Sequence, residues 1–437
     1  MPRWAMPPKP MAAIKAEAAP YLDAFRANAA EPSWLRAARG AALEKFGERG
    51  FPSRREEAWR FTSLRPLLDM QFPPIATKGE GRATESGYAL AEGTHRLVFA
   101  NGVLQSQIGD LPKGVWLASA ARTLAEKPEL IRGALNETDL AGGQPFASLN
   151  AALFVDGFVL ALEPGVTLDR PIEIIHIADT ADAASFHLRN LITLAAGSRA
   201  TVVESYFGEG SYWTNTFTTV SVGDGASLTQ VKLQDESRAA IHFGTARVTL
   251  AASARYRNFG LALGAHLSRQ DVQVLLGDGA DIEVAGAFLQ RGEQDTTNAI
   301  VIDHAAPNGK TRELFKGVLD ERAHAAFLGR IAVREGAQKT DAKQTSRTLL
   351  LSDRAAIDTK PELEIFADDV KCAHGATVGD LDKETLFFLR ARGIGLDEAR
   401  HMLIEAFVLE AIETVEQPEL REHLSGHVRR WLAREAA

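Results

Sequence analysis

From about Leu153 to Gly379 the chain alternates apolar and polar residues in short runs, such as Ile172–Ile177, Leu228–Leu233 and Val272–Leu276. A period of two places every second side chain on one face, which is the mark of a half-buried strand. The turns between the runs resemble one another: Gly197-Ser-Arg-Ala200, Gly223-Asp-Gly-Ala226, Ala251-Ala-Ser-Ala254, Gly277-Asp-Gly-Ala280 and Arg334-Glu-Gly-Ala337. Their last alanines are spaced by 26, 28, 26 and 57 residues, the last interval being about two further steps. A repeat of that length with no helical pattern inside it predicts a β-solenoid, in which each coil covers the apolar face of the next. An irregular β-sandwich would share the local texture without the even spacing.

The two ends have a different texture. Residues 1–70 hold alanine-rich stretches, Ala12–Ala19 and Ser33–Phe46, with breaks at Pro20, Pro32 and Pro52, and these predict helices. Residues 71–150 read as a mixed connecting region with loops at Pro73–Pro74 and Gly79–Gly81. Beyond Gly379, Leu396–Val415 carries a helical stripe of Met402, Leu403, Ala406 and Leu409; Pro418 ends it, and Glu419–Arg434 reads as a second helix. The expected layout is a helical domain over 1–70, the connecting region 71–150, a β core over 151–379 and a helical domain over 380–437.

Composition narrows the function classes. The 437-residue chain has a formal charge of −8, the opposite of the basic surface a nucleic-acid binder needs. No run of about 18 apolar residues is present to span a bilayer. The start, MPRWAMPPKPMAAIK, lacks the continuous apolar stretch of a secretory signal. Cys372 is the single cysteine; it forms no internal disulfide, fits a reducing cytoplasm, and falls short of the four thiolates of a common iron–sulfur site.

The segment Ala367-Asp-Asp-Val-Lys-Cys-Ala-His-Gly-Ala-Thr-Val-Gly379 holds the candidate chemistry. On a strand, Cys372 and His374 project from the same face, so thiol and imidazole would approach one metal or one cluster edge. A buried cysteine beside a hydrogen-bonded histidine at a strand end satisfies the same spacing. His304-Ala-Ala-Pro-Asn-Gly-Lys-Thr311 imitates the end of a phosphate loop, but lacks the leading glycine and runs into a strand-like Arg312–Leu319; Asn308-Gly309 reads as a hairpin turn. Gly208-Glu-Gly210 lacks the third glycine of a dinucleotide fingerprint. Glu362, Glu364, Asp368 and Asp369 are candidates for the carboxyl pair of a carbohydrate-cleaving solenoid, or charges on a solvated face. Asp303, His304 and His324 complete the polar inventory, each satisfied equally well as a structural residue.

Several longer segments, in order, resemble the SufB/SufD family. They are Glu57-Ala-Trp-Arg-Phe-Thr-Ser-Leu64, Lys316-Gly-Val-Leu319, Phe327-Leu-Gly-Arg-Ile-Ala-Val333, Ala337-Gln-Lys-Thr-Asp-Ala-Lys-Gln344, Leu349-Leu-Leu-Ser352, Pro361-Glu-Leu-Glu-Ile365, Ala367–Gly379 and Leu386-Phe-Phe-Leu-Arg-Ala-Arg-Gly-Ile394. The resemblance implies a mainly β fold, a right-handed parallel β-helix between helical terminal domains. It implies a non-enzymatic scaffold in a complex of SufB, SufD and the ATPase SufC that builds nascent iron–sulfur clusters. A single cysteine points to the SufD-type subunit, because SufB carries most of the cysteines. Cys372 and His374 match the family's K-C-x-H-G-A-T segment, with Ala373 where serine is frequent. His374 becomes a contact to the nascent cluster at the SufB interface, with Cys372 as a second contact or a structural neighbour. Leu386, Phe387, Arg392, Gly393, Ile394, Met402, Leu403, Ala406 and Leu409 become the docking face for SufC, unless that stripe packs on the chain's own β core. The resemblance implies a heterodimer with SufB through the β core, and a homodimer in its place is open to the isolated chain. The rival expectations are a solenoid enzyme acting on carbohydrate through Glu362, Glu364 or Asp369, and a self-sufficient metal protein.

Overall fold

The computed structural model describes residues 16–25, 31–74, 90, 94–136 and 145–433. Residues 12–15, 79–81 and 434, on which parts of the expected helices and loops fall, lie outside them. Most of the chain is a parallel β-solenoid of about eight coils, with helices at both ends.

Each coil contributes one strand to each of two sheets. The first sheet stacks, in order, Lys371–Gly379, Asp341–Leu350, Lys310–Leu319, Asp281–Gln290, Arg255–Ala262, Ser227–Asp235, Arg199–Glu209, Ile172–Asp179, His95–Ala100 and Val103–Ile108. The second stacks Ala356–Ile365, His324–Val333, Asp295–His304, Leu267–Leu276, Ile241–Leu250, Tyr212–Val222, Ala184–Leu194, Phe158–Leu162 and Val115–Ser119. All neighbouring strands are parallel except the pairs His95–Ala100 with Val103–Ile108 and Val115–Ser119 with Phe158–Leu162. The register fixes the coil length. Arg255 pairs with Asp281 at the short extreme, and His324 with Ala356 at the long one.

The repeat read from the sequence is one corner of this coil. Gly197, Gly225, Ser253, Gly279, Asn308 and Lys339 occupy equivalent corners at φ between 56° and 69°. Each donates its N–H to the next coil: Gly197 to the Asp224 carbonyl at 2.9 Å, Gly225 to Ala252, Ser253 to Asp278, Gly279 to Pro307, Asn308 to Gln338 and Lys339 to Asp369. Glycine and asparagine accept that left-handed backbone at little cost. Ala226, Ala254 and Ala280 follow these corners directly, whereas Ala200 and Ala337 sit off register. Asn308-Gly309 therefore turns a coil between strands of opposite sheets, and no antiparallel hairpin forms there.

Inside the solenoid, Ile172, Val202, Leu228, Tyr256 and Ile282 face Ile192, Val220, Val248, Val274 and Ile300 in one core. The outer face of the first sheet is covered by helices Leu396–Ile412 and Pro418–Ala433: Phe207, Val231, Phe259 and Leu261 pack against Ile404, Val408, Leu424 and Trp431. Pro418 begins the last helix instead of merely ending the previous one, which stops at Ile412; a first-turn proline has no N–H to leave unsatisfied. Pro20 likewise lies in the first turn of helix Ala19–Ala24, and Pro32 caps Ser33–Arg49.

The outer face of the second sheet is covered by N-terminal residues. Phe46, Phe51, Trp59 and Phe146 enclose Trp213 and Phe243. Arg269 locks this layer: it bonds both Asp271 oxygens at 2.8 Å, donates to Thr62 Oγ1 at 2.8 Å, and lies 3.9 Å over the Trp59 ring. The Glu57–Leu64 segment is thus a clamp that lays the N-terminal layer on the solenoid. Among the described residues no helix is long and apolar enough to cross a membrane.

Candidate functional site

The strand Lys371–Gly379 is the last of its sheet, bonded to Asp341–Leu350 on one side and terminal on the other. Alternation sends Cys372 and His374 to the inner face, in register with Ala342 and Gln344 of the coil below. The two side chains therefore continue interior columns at the point where the solenoid stops. Ala342 and Gln344 are each 1% exposed, while Cys372 is half-buried and His374 exposed. Cys372 packs against the end of the interior core, and burial pushes its thiol above the ordinary value. It is a poorly activated thiol by itself, since the thiolate is the ligand and nucleophile. Ala373 points to the opposite face.

Around this end lies an apolar rim that the sequence reading missed: Ile365 is 42%, Phe366 67% and Val378 49% exposed. In an intact coil, side chains of this kind would be covered by the next one. The signal was that no strand-like run follows Gly379, so neither sheet has a further coil to cover its last strand.

Beneath the last strand the interior turns polar. Gln344 Nε2 donates to Glu313 Oε2 at 2.8 Å, and burial raises the Glu313 carboxyl to about 8 despite that bond. Ser346 and Thr348 follow on the same inner face, 1% and 3% exposed. Deeper in, Lys232 donates to Gln270 at 2.8 Å and meets His242 Nε2 at 2.8 Å; burial lowers its pKa to about 8. Strand alternation is local and carries no signal that polar residues a full coil apart pair with each other.

The other candidates are in structural roles. His304 is fully buried and bonds Thr311 Oγ1 at 2.8 Å, with burial lowering its pKa to about 4, and the segment after it joins two strands where a phosphate loop would lead into a helix. Gly208 lies within the end of strand Arg199–Glu209, and Gly210 is in the bend before Tyr212–Val222. Asp303 pairs with Arg334 at 2.6 Å. Glu362 and Glu364 are on the outer face, 3.0 Å from Lys360 and 3.5 Å from Arg330 respectively. Asp368 and Asp369 occupy the last coil corner, where Asp369 is tied through its backbone to Gln338 and Lys339. His324 bridges Asp295 at 3.1 Å and Asp358 at 2.9 Å, which raises its pKa. Among the described residues, no group of three or more His, Cys, Asp or Glu is arranged to hold a metal ion.

The C-terminal helices show two faces. The stripe that packs on the β core is Ile404, Val408, Ala411 and Ile412, offset from the sequence-predicted one. Leu403 and Leu409 flank that core; Met402 and Ala406 point away from it, exposed. Helix Lys383–Arg390 buries none of its residues, and Phe387 is 75% and Phe388 52% exposed. Arg392 stacks 3.3 Å over Phe388, beside exposed Gly393, while Leu386 and Ile394 are half-buried.

Residues 176–407 match the SUF-system FeS cluster assembly family, SufBD core domain. The chain is 32% identical to an iron–sulfur cluster assembly SufBD family protein of Synechocystis, covering 88% of each chain. It is 28% identical to the iron–sulfur cluster assembly protein SufD of Escherichia coli, over 88% of this chain and 90% of that one. Protein ABCI7, chloroplastic, of Arabidopsis thaliana is 32% identical, over 93% of this chain and 88% of the relative.

Proposed function

The chain belongs to the SufB/SufD family of the SUF iron–sulfur cluster assembly system, on its SufD side, and from that premise we propose that it is the scaffold subunit that pairs with a SufB-type partner. The observation that carries this reading is the open last coil. His374 is exposed on the inner face of a terminal strand, with Cys372 beside it and an apolar rim around both.

The two donors leave an incomplete iron site, which a second subunit's thiolates would finish. Imidazole nitrogen and thiolate sulfur both ligate iron, so the nascent cluster, as cargo, would form across the junction. The terminal strand's unpaired backbone groups offer the partner a ladder to extend. The rim residues Ile365, Phe366 and Val378 supply apolar area to bury there.

The exposed helix Lys383–Arg390, with Phe387, Phe388 and Arg392, and the outward Met402 and Ala406 would dock a SufC-type ATPase. ATP turnover would then belong to that partner, and this chain would be a non-catalytic subunit working in a reducing cytoplasm. The test is to co-purify the chain with SufB- and SufC-type partners and measure cluster yield with His374→Ala. Loss of yield in an intact complex is expected; full yield removes the role given to His374.

A further inference from the structure

The inner face of strand Asp341–Leu350 forms a floor directly under the last strand. Ala342, Gln344, Ser346 and Thr348 lie in register beneath Cys372, His374, Ala376 and Val378. Gln344 Oε1, Ser346 Oγ and Thr348 Oγ1 are all buried without a hydrogen-bond partner. A buried oxygen left without a donor carries its full desolvation penalty, so three in a row under an open edge call for an occupant.

Gln344 is the best defined of the three. Its Nε2 is committed to Glu313 Oε2 at 2.8 Å, which leaves Oε1 as the free end of the amide. The facing sheet makes room for this pose at Gly329, where an added Cβ would overlap Gln344 Nε2. The next residue of the same column is His374, one strand spacing of about 4.8 Å away. An imidazole that ligates a metal through one nitrogen generally donates its other N–H to a fixed acceptor, which sets tautomer and ring direction.

We propose that Gln344 is a positioning residue for His374: its Oε1 accepts the N–H of one imidazole nitrogen and turns the other nitrogen outward, unprotonated, toward the partner subunit. Glu313 holds the amide in this orientation from below. The inference deepens the reading of His374 as a cluster contact and rests on that reading for its purpose.

The experiment labels the isolated full-length chain with nitrogen-15 at histidine and assigns His374 by comparison with His374→Ala. A single His374 tautomer with an observable, slowly exchanging imidazole N–H is expected. In Gln344→Leu, or in Gln344→Met if the first does not fold, the signal should relax to the tautomer mixture of a solvent-exposed imidazole. In the reconstituted complex, the same variant should lower iron affinity about 10–100-fold. A mixed tautomer in the unaltered chain, or one that Gln344→Leu leaves unchanged, overturns the inference whatever His374→Ala does. Should the tautomer prove fixed while His374→Ala retains full cluster yield, the Gln344–His374 bond stands and the function assigned to His374 falls.

Discussion

Replacing Arg269 with methionine should be among the most damaging single changes in the chain. The guanidinium is 2% exposed and holds Asp271, itself 7% exposed, through two bonds of 2.8 Å. Removing one partner of a buried pair leaves the other charge uncompensated, a loss of about 3–5 kcal/mol. That figure absorbs the cation–π contact with Trp59 at 3.9 Å, worth about 2 kcal/mol when desolvated. Arg269→Met with Asp271→Leu removes both charges and fills the space with apolar groups. It should cost less than Arg269→Met alone, about 1–3 kcal/mol, from the lost bond to Thr62 and the lost cation–π contact with Trp59, offset in part by apolar packing. Urea unfolding followed by tryptophan fluorescence reads these differences, and tryptic cleavage between Arg49 and Arg60 reports release of the N-terminal layer. A single variant costing under about 1 kcal/mol, or a double variant costing the sum of the two singles, refutes the argument that this pair clamps the layer.

The pKa of His324 is raised by Asp295 and Asp358, so its bridge stabilises fully below the ordinary histidine value of about 6.5 and is lost as pH climbs through the raised one. The protection of amides in Ala356–Ile365, corrected for the intrinsic pH dependence of exchange, should fall over that rise, and His324→Gln should remove that fall; a protection profile identical in the two proteins dismisses the bridge. Gly329→Ala should displace the Gln344 amide and cost about 1–3 kcal/mol in urea unfolding, whereas a neutral change means the interior there is slack. Phe387→Ser with Phe388→Ser should alter stability by no more than about 0.5 kcal/mol yet abolish co-purification of a SufC-type ATPase, and retained binding moves the docking face elsewhere.

Much of the architecture was legible because a solenoid repeats its constraints. Each coil needs one residue in the left-handed conformation at the same corner, and glycine at 197, 225 and 279 makes that need visible. Ser253 and Lys339 meet it without advertising it, which hides part of the period. Cys372 and His374 could be placed on one face because strand alternation is local. The polar floor under them could not, since Gln344 meets Glu313 only across one full coil. The helical stripe is divided for a similar reason: Leu396–Ile412 is apolar on more than one side, and tertiary packing sets Leu403 and Leu409 beside the β core while Met402 and Ala406 stay exposed. His304 and the carboxylates Glu362 and Glu364 show the converse, residue types suited to chemistry that tertiary partners occupy instead.

The corner ladder has an arithmetic of its own. Every coil lends a carbonyl to the one before, until Lys339 reaches Asp369. The terminal strand has hydrogen-bonding groups to spare and little charge to repel a newcomer: between Cys372 and Gly379 there is no lysine, arginine, aspartate or glutamate. Two copies of this chain meeting at high concentration would therefore each present a free edge to the other. Self-association that grows with concentration is, on this view, written into the geometry of one uncovered edge.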